Sequence, residues 1–467
     1  MATTPAGADS TSEGRPMASV MVSSADPSRT STPVKDAPIE KDPDEQSKLK
    51  TFLGILRRFI GVSDIASVRF SLPAQLLEPT PNLEYWGYLD RPETFIAIGN
   101  SEEPLGRILE VLRFWFTKDL KYVKGKPCKP YNSTLGEFFR CNWEVEDTAP
   151  PIEPTDPAPK MPTKKQEVVS SGKPKQPIVV SYLTEQTSHH PPVSAFYVDC
   201  PEKGIVARGF DQLSAKFTGT SIRVVPGAHN LGIFITLTKR DNEEYQLTHP
   251  AAHLGGLLRG SLSVSVADTC FITCAKTRIK IILQYMEEGW LGRSQNRVEG
   301  VVFTYDPEND NITKLKDVPT KDVLARIDGS WMEKIFYTLG SGDIKKASAK
   351  DKILLTDLTP LFPVPKLIPP ESEQLPNESR KFWSQVTNAI LSKQYSLATQ
   401  LKTELEERQR QKATERKEKG VEWQPRFFTA ATTPLGKPDL TEEGRMVLNG
   451  LHTGNFHLEE SEDAGAY

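Results

Sequence analysis

With 467 residues, of which 37% are hydrophobic and 25% charged, the chain has a soluble globular composition and the length for one large domain with tails or two to three smaller ones. A formal net charge of −3 excludes a global basic field for nucleic acid, so any anion binding has to rest on a local cluster. No run approaches the ~18 to 20 apolar residues of a membrane span, the N-terminus lacks a signal-peptide core, and five cysteines, Cys128, Cys141, Cys200, Cys270 and Cys274, fit a reduced cytosolic chain.

Residues 1–46 are rich in Ser, Thr, Pro, Ala and Asp and contain no aromatic residue, so a disordered tail is expected. In residues 47–61, SKLKTFLGILRRFIG, the positions Leu49, Phe52, Leu53, Leu56, Phe59 and Ile60 recur at helical spacing among Lys48, Lys50, Arg57 and Arg58. Ser47 is the expected N-cap and Gly61 the expected stop. Two readings stay open for this helix. It packs on a core as a surface helix, or its basic flanks and apolar face meet a membrane surface. A second helical pattern over residues 105–120 is apolar on most sides and predicts a buried helix.

The stretch KPCKPYNSTLGEFF, residues 126–139, holds Lys126 and Lys129 extended before prolines, followed by Asn132 and Ser133. Lys129 on such a corner suits a phosphate as a point charge. Residues 146–176 are again proline-rich and predict a long surface insertion. From 178 to 331 many short β runs alternate with Gly, Asp-Asn and Pro turns, which predicts an antiparallel sandwich or barrel rather than βαβ units. Residues 371–420 turn helical, ending in a Glu-, Arg- and Lys-dense solvated helix. The segment 431–467 is polar and is expected to be a loosely ordered tail.

Little catalytic chemistry survives this reading. HPAAH, from His249 to His253, lacks a metalloprotease's glutamate, and Pro250 and Gly255-Gly256 oppose a helix there. Nucleophile elbow, P-loop and dinucleotide fingerprint are all missing, so no enzyme activity, metal or cofactor is expected. Cys270 and Cys274, four apart in a strand-like run, read as packed core thiols. In EQTSHHPPVSAF, residues 185–196, His189 and His190 stand directly before Pro191 and Pro192. The prolines stiffen this corner and fix where the imidazoles point. The residues alone leave open a hydrogen-bonded turn, a catalyst and an anion ligand.

EQTSHHPPVSAF resembles the fingerprint of the oxysterol-binding protein-related family. KPYNSTLGEFFRCNW is similar to the family's Lys-Pro-x-Asn-Pro-x-Leu-Gly-Glu segment, with Ser133 in place of the usual proline. IDGSWMEKI, ESRKFWSQVTNAI, LKTELEERQR and WQPRFF resemble its C-terminal half. The likeness covers roughly residues 47–430, without pleckstrin-homology or ankyrin modules. It implies a β-rich α+β fold: a near-complete antiparallel β-barrel around a lipid tunnel, with an N-terminal amphipathic lid helix and C-terminal helices packed outside.

It also implies a monomeric lipid transfer protein that exchanges phosphatidylinositol 4-phosphate for a second lipid. Such a protein would be cytoplasmic and would touch endoplasmic reticulum, Golgi or plasma membranes transiently and peripherally. Carried over position by position, His189, His190, Lys129 and Asn132 resemble the residues around the head-group phosphate. Lys402, Glu406 and Arg410 resemble the Lys, Glu and Arg that reach the head group. Near Ala215 the chain is similar to sterol carriers, whereas Lys121-Tyr122 departs from their Gln-Tyr and GEFFRCNW is closer to phosphatidylserine carriers. A sterol is placed ahead of phosphatidylserine. The alternative is a sensor or scaffold that binds sterol or phosphoinositide without ferrying it.

Overall fold

The computed structural model describes residues 37–66, 68, 72–124, 129–154, 177–257, 262–286 and 296–460. Short alternating runs separated by turns form its sheet: β1 (Phe138–Val145), β2 (Ile178–His189), β3 (Pro192–Cys200), β4 (Ile205–Asp211), β5 (Leu213–Phe217), β6 (Ile222–Pro226), β7 (Ile233–Leu237) and β8 (Glu243–Leu247). There follow β9 (Ala251–Gly255), β10 (Ser263–Cys274), β11 (Ile279–Tyr285), β12 (Arg297–Thr304), β13 (Val323–Ser330), β14 (Lys334–Leu339) and β15 (Ile353–Asp357). Every ladder among them is antiparallel. The main path runs β1-β2-β3-β4-β7-β8-β10-β11-β12-β13-β14-β15, with β5, β6 and β9 branching from β10 as a side patch. Among the described residues β1 and β15 remain its two edges, so the barrel is near-complete rather than closed.

The sheet extends beyond the expected 178–331 at both ends. Phe138–Val145 alternates as a strand although it also carries a sequence motif, and β14 and β15 are short runs set among loops. Antiparallel order places the β2–β3 turn, the β9–β10 connection and the β13–β14 turn at one end. The β1–β2 connection, which carries the proline-rich stretch, opens at the other. Its residues 155–176 lie outside the described residues. Its base is fastened: Ile152 N donates to Ser101 Oγ at 2.9 Å, and Arg113 donates to Pro150 O at 3.0 Å.

Seven of the nine helices among the described residues are α1 (Glu45–Leu56), the short α2 (Asn82–Tyr85), α3 (Pro92–Ile96), and later α6 (Ser379–Phe382), α7 (Ser384–Leu391), α8 (Tyr395–Glu418) and α9 (Glu442–Thr453), of which α2 and α3 give Leu83, Phe95 and Ile96 to the main core. The other two are α4 (Pro104–Thr117) and α5 (Leu120–Lys124). α4 is buried from Gly106 to Thr117 and belongs to the main core with the strands of the main path. A buried helix has to satisfy its charges internally. Arg107 forks onto Glu243 with bonds of 2.7 and 2.9 Å, and Glu110 accepts from Ser101 Oγ at 2.6 Å and Gly99 N at 2.9 Å.

Both termini are more ordered than expected. The segment after 430 is not a loose tail: α9 is capped by Thr441 Oγ1, which accepts from Gly444 N at 3.1 Å, and stopped by Gly454 at φ +74°. Its Val447, Leu448 and Leu451 bury against Phe138, Leu183, Val193 and Phe427. At the other end residues 37–44 lie against the α7–α8 junction, with Glu40 N donating to Lys393 O at 2.9 Å. Residues 1–36 lie outside the described residues. Asp44, not Ser47, caps α1, its Oδ1 accepting from Ser47 N at 2.6 Å. No helix among the described residues is long and apolar enough to cross a membrane.

Candidate functional site

β2 and β3 pair down to His189 opposite Pro192, leaving His190 and Pro191 as the turn, with a cis peptide bond between them. A register shift between Gln186 and Ser188 bends the hairpin just before the histidines. Both rings stand exposed at the tip, 4.8 Å apart and edge to face. The Gln186 amide nitrogen lies 2.8 Å from His189 Nδ1. With that amide as donor, Nδ1 accepts and the ring's proton sits on Nε2, available to an anion.

The tip is open to water on one side and crowded on the other. Desolvation on the crowded side, together with His190 and Arg410, pushes the His189 pKa down to about 4, against the pull of Glu406. Glu406 and Arg410 of α8 thus bear electrostatically on the hairpin tip. Along α8, Lys402 Nζ lies 2.8 Å from Glu406 Oε1, and Arg410 approaches Glu406 Oε2 at 3.5 Å and pairs with Glu407. Four-residue steps put Lys402, Glu406 and Arg410 in one row. Lys402 is buried, whereas Arg410 reaches solvent. A buried lysine is tolerated here because its carboxylate partner is one turn away.

Lys129 Nζ donates to Asn132 Oδ1 at 2.5 Å. Between them Tyr131 stacks on Trp383 at 4.8 Å, its hydroxyl is 3.0 Å from Thr387 Oγ1, and it shares a core with Leu401 and Leu405 of α8. The loop carrying Lys129 and Asn132 is thus seated on the same helix pair as the cation row. Lys126 lies outside the described residues.

Two carboxylates that sequence reasoning missed hold these pieces together. Glu185 Oε1 and Oε2 accept from the backbone amides of Arg426 and Phe427, each at 2.8 Å. Glu137 accepts from Thr134 N at 3.0 Å, Ser379 Oγ at 2.7 Å and Trp383 Nε1 at 3.1 Å. Burial raises both pKa values to about 7, opposed by those same donors. Together they clasp the start of α6, the Trp383 junction and the 426–427 segment onto β1 and β2. The available signal was a charged residue inside an otherwise apolar strand pattern, a place where an unpartnered carboxylate would be costly.

α1 covers the same end of the sheet. Leu49 and Leu56 are buried, and with Phe52, Leu53 and Phe59 they pack on Ile65, Phe217, Ile222, Leu257 and Leu262. Ile60 departs from the expected apolar face: the helix ends at Leu56 and Ile60, past a tight turn, is 63% exposed. The chain is then anchored by Ile65 N to Ala215 O at 2.6 Å and by Ala215 N to Asp64 Oδ1 at 2.8 Å. Because this small cluster is separate from the main core, Leu56→Asp should open α1 without unfolding the barrel. Faster amide exchange confined to residues 45–66 would show it; global loss of the thermal transition would mean that α1 belongs to the main folding unit.

In the interior, Lys121 sits between Asp119 at 3.1 Å and Asp90 at 3.5 Å. Its neighbour Tyr122 packs on Trp86 at 5.8 Å. Tyr88 OH donates to Asp211 Oδ1 at 2.6 Å. His249 stacks on Tyr88, and burial first, then Lys118, pushes its pKa down to about 3. Of the HPAAH pair, His249 lies in the loop before β9 and His253 on β9 itself, with no helix there, as the proline and glycines suggest.

A near-complete antiparallel barrel, a capping amphipathic helix and a rim of imidazoles and cations define a lipid-binding barrel of the oxysterol-binding type. The family model described as oxysterol-binding protein matches residues 51–395 and 386–450. Oxysterol-binding protein-like protein 1 of Schizosaccharomyces pombe is 43% identical over 488 residues, covering 88% of this chain and 93% of that protein. Human oxysterol-binding protein-related protein 10 is 28% identical over 396 residues, covering 82% of this chain and 48% of its own length, so the chain spans about half of that relative. Among solved structures, the Osh1 ORD domain in complex with ergosterol superposes with a TM-score of 0.62 at 19% identity, covering 91% of this chain and 93% of that one. The Osh3 ORD of Saccharomyces cerevisiae in complex with PI(4)P gives 0.55 at 18%, covering 92% and 98%. The chain belongs to the oxysterol-binding protein family.

Proposed function

We propose that this chain is a lipid transfer protein, not an enzyme. It extracts phosphatidylinositol 4-phosphate and exchanges it for a second lipid between cytosolic membrane surfaces, with a sterol placed ahead of phosphatidylserine as that lipid. The unit responsible is the lipid-binding domain from the lid helix through α8, with α9 as its outer support.

The observation that carries the reading is that Glu406 and Arg410 of the α8 row act electrostatically on His189 at the hairpin tip. Lys129, Lys402 and Arg410 supply three cations against the two carboxylates of Glu406 and Glu407. That excess suits a phosphate monoester carrying about −1.5 to −2 at neutral pH. His189 and His190 donate N–H groups to its oxygens, Asn132 orients Lys129, and Glu406 holds Lys402 and accepts from an inositol hydroxyl. The ORD structures of Osh3 with PI(4)P and of Osh1 with ergosterol or cholesterol support the two ligand classes.

The pH dependence follows from the histidine. His189 titrates low in the free protein, and a bound phosphate favours the protonated ring, so binding takes up a proton. Extraction should therefore strengthen as pH falls from neutrality toward 5.5, and His189→Gln should flatten that slope. Stability has the opposite sign for the depressed histidines: the unfolded chain binds the proton more readily, so their contribution is lost as pH falls below 6.5. An assay with separate donor and acceptor vesicles tests the exchange itself. Movement of labelled lipid between them is expected; binding without movement would favour a sensor.

A further inference from the structure

The N-terminus of α8 has no cap from within the helix: Gln394, at the N-cap position, makes no side-chain cap bond. Glu40 supplies that cap from elsewhere in the chain, its Oε1 accepting from Ser396 N at 2.7 Å, and a carboxylate is favoured at that end of a helix. Around it the contact is dense. Glu40 N donates to Lys393 O at 2.9 Å, the Gln394 amide donates to Ala37 O at 2.7 Å, and Tyr395 OH donates to Asp42 Oδ1 at 3.1 Å. Asp42 also pairs with Lys48 of α1 at 3.1 Å, and Asp44, two residues on, caps α1. Residues 37–44 therefore grip the first turn of α8 and lead directly into α1.

We infer that residues 37–44 form a strap that positions the cation-bearing helix α8 and couples it to closure of α1, with Glu40 and Asp42 as positioning residues. The inference rests on reading α8 as the head-group helix. Lys402 lies two turns beyond the capped end, so fixing the first turn fixes where its ammonium sits. Asp42 touches both helices, so lifting α1 strains the contact to Tyr395. By linkage, whatever orders α8 at its ligand also favours a closed α1. No single bond suffices, since the Lys48–Asp42 pair is largely solvated and weak alone. The coupling is carried by the set.

The test uses the full chain with Glu40→Ala/Asp42→Ala, and Glu40→Gln/Asp42→Asn as the conservative pair that keeps acceptor oxygens. Amide hydrogen exchange is read first without lipid. Ser396 should exchange roughly fivefold faster in the alanine pair, the effect of one lost cap, and residues 45–56 should speed up with it, while the conservative pair retains most protection. Vesicles containing phosphatidylinositol 4-phosphate are then added. The wild type should gain protection over residues 45–56 and the alanine pair should not. Unchanged exchange at the start of α8, or a change there that leaves α1 unaffected, would overturn the coupling. A wild type that takes up no phosphoinositide would overturn the head-group reading, and the lipid-free exchange would still decide the strap.

Discussion

Replacing His189 and His190 together by alanine is expected to reduce extraction of phosphatidylinositol 4-phosphate from vesicles by roughly two orders of magnitude or more. Each imidazole contributes a hydrogen bond to a charged group, about 1.5–3 kcal/mol, and the two losses convert to that factor. Stability should change little, because both side chains are exposed at a hairpin tip and the ladder bonds of β2 and β3 are untouched. The hydrogen bond removed is the Gln186–His189 contact. Sterol uptake into the barrel should survive, since neither ring belongs to the apolar core. The check is extraction of labelled phosphoinositide beside a thermal melt. Undiminished extraction with an intact melt would remove the histidines from the head-group site.

Glu185→Gln should have the second largest effect, on stability. The carboxylate gives one oxygen to each of two adjacent backbone amides in a dry site. A carboxamide of the same shape offers one oxygen and one NH2, so one amide faces another donor and is left unpaired. That costs about 1–3 kcal/mol, read by chemical denaturation, and should appear first as faster exchange at Arg426 and Phe427. The pH dependence adds a signature. Because the folded-state pKa is raised to about 7, the folded protein holds a proton that the unfolded chain releases, and this contribution fades as pH rises from about 4.5 through 7. The Gln variant should lose that part of the slope. If its stability matches wild type across the range, the clasp on the C-terminal segment carries no load.

Although its barrel form came from the family resemblance, the antiparallel sheet was legible from composition and spacing because alternation and turn residues report a half-buried sheet directly. The buried helix α4 was legible for the same reason, its apolar residues spreading around the whole circumference. What escaped was order imposed by tertiary contact. Residues 37–44 have tail-like composition and gain their place from contacts with the α7–α8 junction and with α1. α9 had its signals, Thr441 before two glutamates and Gly454 at the end, but they sat in a polar segment whose partners, Phe138 and Leu183, are far away in sequence. Ile60 fitted a continued helical period, yet the helix stops at Leu56 and the turn carries it outward. Among site residues, the row on α8 came from the resemblance of LKTELEERQR to the family, with its four-residue steps in agreement. The roles of Glu185, Glu137 and Gln186 were not, because a strand glutamate reads the same whether it faces water or a buried backbone amide. Lys121 stands out in a sequence comparison, but only the fold shows it neutralised by Asp90 and Asp119.

The proposal that the mouth recognises a phosphate is tested most directly by offering the wild-type chain two vesicles that differ in one group. One contains phosphatidylinositol 4-phosphate and the other phosphatidylinositol with the same acyl chains. With the His189–His190 turn and the Lys402–Arg410 row as the selective element, the chain should extract the first and leave the second largely in the membrane. Equal extraction of both lipids would contradict the account.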